Sequence, residues 1–141
     1  MVHPLEITLM NRLKLLQFGS VAVGAMDAVT GLLLILVPGL VLRLLGISPV
    51  AEESLVFLRW IGVFVMSVGL SYGLCLRGRA AAETVWAFTG TVRILVCVFL
   101  VGQVVTHHLE PAWLLVAISD GTVAIVQFIG LRAAWWKGGG T

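Results

Sequence analysis

Long apolar runs alternate along the chain with short polar breaks. Four runs stand out between charges and turn signals. Leu15 to Val37 carries only Asp27 and is ended by Pro38-Gly39, and Leu55 to Leu76 carries only Arg59 and is closed by Arg77 and Arg79. Thr84 to Val105 carries only Arg93 and is followed by His107-His108-Leu109-Glu110-Pro111, while Ala112 to Leu131 carries only Asp120 and is closed by Arg132. Each run is 20 to 23 residues long, and a helix of ~20 apolar residues crosses ~30 Å of hydrocarbon. The pattern predicts an all-α integral membrane protein. It is a four-transmembrane-helix bundle in a single membrane domain, 1–141, with spans at about 15–37, 55–76, 84–105 and 112–131. Between the first two spans, apolar residues around Arg43 predict a short interfacial helix at about 39–47. Ser48-Pro49 reads as the N-cap and first position of the next helix, with Glu52 and Glu53 in its first turn. The tail Gly138-Gly139-Gly140-Thr141 is expected to fray.

Within each span, small and polar residues recur at spacings of three and four, which keeps them on one helix face. The stripes are Gln17, Ser20, Gly24, Asp27, Gly31; Arg59, Gly62, Met66, Gly69, Gly73; Trp86, Gly90, Arg93, Cys97; and Trp113, Ala117, Asp120, Ala124, Gln127. Small residues let helix backbones approach closely in lipid. Gly24, Gly31, Gly62, Gly69 and Gly73 are therefore the expected packing positions, and Gly69-Leu-Ser-Tyr-Gly73 is a GxxxG sequence read as intramolecular packing. The opposite faces, such as Leu32 to Leu36 and Leu95 to Leu100, are aliphatic surface for lipid or a partner subunit.

Composition agrees with the pattern. The chain is 60% hydrophobic and 11% charged, against roughly 45–50% and 25% in soluble domains. Nine Lys and Arg with seven Asp and Glu cannot cover a water-facing surface, which excludes a secreted disulfide scaffold and a nucleic-acid binder. The net charge of +2 is too small to imply a polyanionic partner. Cys75 and Cys97 form no CxxC or metal-type spacing and read as buried small apolar residues. Arg12 and Lys14 before an apolar stretch with Val23-Gly24-Ala25 resemble a secretory signal, but apolar sequence continues past Ala25, so an uncleaved first span is expected.

Loop charges set the orientation. Arg12, Lys14, Arg77, Arg79, Arg132 and Lys137 fall on the side of the termini, and Arg43 alone falls on the other, beside Glu52, Glu53 and Glu110. Six against one predicts both termini in the cytoplasm. Trp86, Trp135 and Trp136 would mark the cytoplasmic boundary and Trp60 and Trp113 the outer one.

An unpaired charge at a span centre costs ~2.5–3.5 kcal/mol, so Asp27 and Asp120 are expected to pair with Arg59 and Arg93. This polar network or pocket would lie in the outer half of the bundle, with Tyr72, Gln103 or Gln127 as further partners. Haem ligation inside the spans is excluded, because the only histidines are His3, His107 and His108. No Schiff-base lysine, nucleophile–base pair, phosphate loop or zincin motif occurs. No metal is assigned, His107 and His108 being the only weak candidates, as adjacent histidines cannot share one helix face.

The order Asp27-Ala-Val-Thr-Gly31, Pro38-Gly-Leu-Val-Leu-Arg-Leu-Leu-Gly46, Phe57-Leu-Arg59-Trp-Ile-Gly62, then Arg93 and Asp120, resembles the DoxX-like group of small four-helix bacterial membrane proteins from about Gln17 to Leu131. The resemblance implies a multi-pass bundle in the bacterial cytoplasmic (inner) membrane and association with a partner complex. Some members of that wider group are small subunits of quinone-linked thiosulfate oxidation or of membrane redox-stress complexes. It carries over no catalytic residue.

The leading expectation is a non-catalytic accessory or structural subunit. It would pack against lipid and other membrane protein subunits, use its Asp/Arg pairs for its own fold, and require no cofactor or nucleic acid. The alternative is a quinone- or lipid-binding component of a membrane redox system, with the four charged residues at the polar end of its site. A small transporter is the third reading. A closed bundle with paired charges would favour the first, and a cavity beside those charges the second.

Overall fold

A computed structural model describes residues 4–137 of the chain, with side chains from residue 10 onward. His3 and the tail expected to fray lie outside the described residues. The helices are α1 (Pro4–Leu36), α2 (Pro38–Leu44), α3 (Glu52–Ser71), α4 (Arg79–Val105) and α5 (Leu114–Arg132), with 3-10 turns at Tyr72–Arg77 and Pro111–Trp113. Among the described residues there is no strand. Met10–Leu36, Glu52–Arg77, Arg79–Val105 and Pro111–Arg132 are each long and apolar enough to cross a membrane. α4 begins before its apolar run, in a turn where Arg79 Nε donates to Glu83 Oε1 at 3.0 Å across one helical step.

Proline separates α1 from α2. Pro38 has no N–H and its ring drives the preceding residue out of the helical region, and Val37 sits at φ −137°, ψ 57°. α2 ends in a Schellman turn. Gly46 takes φ 72°, with the Ile47 N–H on the Leu42 carbonyl at 2.9 Å and the Gly46 N–H on that of Arg43 at 3.1 Å. The expected start of the next helix at Ser48-Pro49 is corrected. α3 begins at Glu52 after Ala51, without a side-chain cap, and the Ser48 N–H donates to Glu110 Oε2 at 3.1 Å, which holds the segment before it to the opposite loop.

The long helices form two antiparallel pairs, α1 with α3 and α4 with α5. Glycine decides the first. A Cβ on Gly69 would stand 2.5 Å from the Gly24 carbonyl oxygen, and one on Gly62 would stand 2.7 Å from that of Gly31. Gly24 and Gly31, like Gly62 and Gly69, are seven positions apart, so both contacts fall on one face of each helix. Gly73 departs from the expected stripe. The α-helix stops at Ser71, which leaves Gly73 exposed in the 3-10 turn with no atom within 4 Å of its Cβ position.

The turn Tyr72–Arg77 packs against both α1 and α4 and buries Tyr72 and Cys75 where the two pairs meet. Gly78 leaves it at φ 129°, a backbone region that essentially only glycine adopts without strain. At the other end of α4's partner, Ala134 turns left-handed at φ 51°, and the Trp135 N–H returns to the Gly130 carbonyl at 2.9 Å. This reversal folds the tail back onto α4. Trp86 and Trp136 are buried, edge to face with centroids 5.2 Å apart, and Trp135 flanks Trp86 at 6.4 Å. Gly130 makes the room, since a Cβ there would stand 2.5 Å from Trp86 Cζ3. Trp60 is exposed, set against Phe64.

Candidate functional site

The inner face of α4 reads Trp86, Thr89, Gly90 and Arg93, all buried, at the three- and four-residue spacings that share a helix face. The three with side chains each meet another element. Trp86 Nε1 donates to Ser20 Oγ on α1 at 2.9 Å. Gln127 Nε2 on α5 donates to Thr89 Oγ1 at 2.9 Å and to Tyr72 Oη at 2.8 Å. Gly90 supplies no side chain and admits the Gln127 amide, whose Oε1 lies 3.4 Å from the Cβ position. One turn further, Arg93 Nη2 donates to Asp27 Oδ2 on α1 and Nη1 donates to Asp120 Oδ1 on α5. A charged guanidinium bonded to two carboxylates makes the strongest class of hydrogen bond. The result is a ladder of polar rungs ending in an ionic clasp.

The clasp contains two acids and one base. Asp27, Arg93 and Asp120 converge, and Arg59 does not join them. Arg59 is exposed and makes no ion pair among the described residues. The register explains why. With Gly62 opposite Gly31 and Gly69 opposite Gly24, Arg59 lies level with residue 34. That is seven residues, or about 10 Å of helix, from the level of Asp27. α3 also closes onto α1 at backbone distance there, which leaves no channel for a long side chain. The balanced two-by-two network is therefore corrected to a cluster whose formal charges sum to −1.

Tyr72 and Gln127 belong to the ladder, whereas the Gln103 side chain makes no hydrogen bond and only its carbonyl is used, accepting the His108 N–H at 2.9 Å. That bond ends α4, with His107 left-handed at φ 59°. His108 Nδ1 sits 2.8 Å from Thr106 Oγ1. Among the described residues no three His, Cys, Asp or Glu side chains gather as a metal site. Thr89 was not among the residues expected here, although its place four positions before Arg93 could have marked it.

A crevice of about 340 Å3 opens between α1 and α5, with Gly19, Val23 and Val126 on its sides, Tyr72 and Gln127 at its floor and Trp135 at one end. None of Asp27, Arg93 or Asp120 lines it.

No family model, curated protein or solved structure matches this chain. Function is therefore argued from the site itself. The clasp joins α1 of one helix pair to both helices of the other. Arg93 Nε and Gln127 Oε1 are the buried polar atoms of the ladder without a hydrogen-bond partner. The hydrogen bonds that Arg93 and Gln127 do make all run between elements, an arrangement that can hold a bundle in register.

Proposed function

We propose that the chain is a DoxX-like integral protein of the bacterial cytoplasmic membrane, multi-pass with both termini cytoplasmic. It serves as a non-catalytic accessory or structural subunit of a larger membrane complex. The observation that carries this reading is the clasp. Arg93 takes one acid from each helix pair and does not line the crevice between α1 and α5, so this buried charge is used in joining helices. The loop-charge bias supports the orientation. α3 supports the partner surface, because Phe57, Trp60, Ile61 and Phe64 are exposed on it. Purification in a mild detergent with mass spectrometry of co-purifying proteins tests the proposal. A membrane protein recovered in fixed stoichiometry is expected, and recovery as a lone, ligand-free monomer overturns it.

The crevice beside Tyr72 and Gln127 favours a second reading, a quinone- or lipid-binding component of a membrane redox system. Its volume falls at the low end of small-molecule sites, ~300–1,000 Å3. Extraction and mass spectrometry of small molecules from the same preparation tests it, and a stoichiometric quinone would displace the first reading.

A further inference from the structure

The chemistry of the crevice narrows its occupant. Apart from Gln127 Oε1, which lies against Gly90 on α4, the polar atoms at its floor are engaged within the protein. Ser20 Oγ donates to the Leu16 carbonyl at 2.8 Å and accepts from Trp86 Nε1, and Tyr72 Oη accepts from Gln127 Nε2. What faces outward is hydrocarbon, from Leu15 to Val23, about 12 Å of helix. Such walls suit a flexible chain better than a polar ring.

The crevice leads at its Leu15 end to a cationic rim. Arg12 precedes Leu15, Leu16 and Gly19 by three, four and seven positions, so it continues the crevice-lining face of α1. Arg12, Lys14 and Arg132 are exposed and make no ion pair among the described residues. The described carboxylate at this end, Glu83, is already paired with Arg79.

We propose that the crevice seats one acyl chain of an anionic membrane phospholipid, with its phosphate on Arg12. The inference rests on the membrane reading above. Hydrocarbon walls alone would take the chains of any phospholipid, and Arg12 can grip any lipid phosphate with two parallel hydrogen bonds, so the choice among headgroups falls to their net charge at the cationic rim. A zwitterionic lipid brings the same chains but no net charge to neutralise.

The test uses the full chain taken from the membrane fraction, exchanged into micelles containing equal phosphatidylglycerol and phosphatidylcholine, and weighed by native mass spectrometry. One phosphatidylglycerol per chain is expected, held in preference to phosphatidylcholine. Arg12→Gln lowers that preference roughly fivefold, the ratio equivalent to ~1 kcal/mol for one basic residue at an anionic surface. Gly19→Leu fills the crevice and abolishes the one-to-one adduct. A Cβ at Gly19 meets nothing within 4 Å, and an unchanged unfolding midpoint is the check that the leucine leaves the fold intact. Equal retention of the two lipids by the unaltered chain, or full phosphatidylglycerol retention by Gly19→Leu, overturns the inference while leaving the membrane reading standing. Absence of the chain from the membrane fraction overturns both.

Discussion

Between α1 and α3 the closest atoms belong to backbones, Gly24 against Gly69 and Gly31 against Gly62. Between the two helix pairs the joining atoms belong to side chains: Trp86 with Ser20, Tyr72 with Gln127, and Arg93 with Asp27, while Asp120 braces Arg93 from within its own pair. The first seam gains dispersion contacts by omitting side chains. The second holds its helices further apart and fills the gap with directional bonds. A seam made by omission is sensitive to added atoms. One made by polar side chains is sensitive to their removal, and to which charge is removed.

The largest expected effect follows from charge. Arg93→Gln leaves Asp27 and Asp120 together without their cation, and stability should fall on the order of 3–5 kcal/mol, the cost of breaking a buried ion pair from one side. Asp120→Asn leaves Asp27 and Arg93 as a neutral pair and should cost under about 2 kcal/mol, the upper range for single polar contacts between membrane helices. Unfolding midpoints in detergent compare the two variants, and equal losses would show that the net charge of the clasp does not govern the second seam.

Gly69→Ala comes next. The added methyl would stand 2.5 Å from the Gly24 carbonyl oxygen, and overpacking of this kind costs about 1–3 kcal/mol. Gly73→Ala, in the same GxxxG sequence but in open space, should stay within about 0.5 kcal/mol. If the two variants unfold alike, the backbone seam is not the close contact described. In the second seam a smaller loss belongs to Gln127→Leu, which removes the bonds to Thr89 and Tyr72 and should cost about 0.6–1.7 kcal/mol. A midpoint unchanged by this substitution would confine the second seam to its ionic end.

The four long helices were legible because apolar runs of this length, bounded by Pro38, Arg77 and the Glu110-Pro111 break, leave little freedom in where helices start and stop. The face of each residue was legible too, since spacing fixes an angle around its own helix axis. Spacing does not fix how far one helix slides along another. That slide removes Arg59 from the cluster and leaves the acids in excess. The exit from α3 was equally hidden, because nothing in Ser71-Tyr72-Gly73 announces a 3-10 turn that turns Gly73 outward. Thr89 was overlooked because Gly90 beside it drew the stripe one position along. The packing of Trp136 on Trp86 was hidden because an alanine, Ala134, takes the left-handed turn that folds the tail back. Alanine carries a cost of ~1–2 kcal/mol in that conformation, and packing against Trp86 offsets it.

The spacing of the clasp along the chain also gives it a history during synthesis. Asp27 precedes Arg93 by 66 residues, and Asp120 follows Arg93 by 27. At 5–20 residues per second, Asp27 would wait about 3–13 s after its own synthesis with its charge unanswered. The glycine contacts of α1 and α3 need nothing that is made later. The backbone seam can therefore close first and hold Asp27 in place until the ribosome supplies its cation, and the second acid arrives only after that pair can exist.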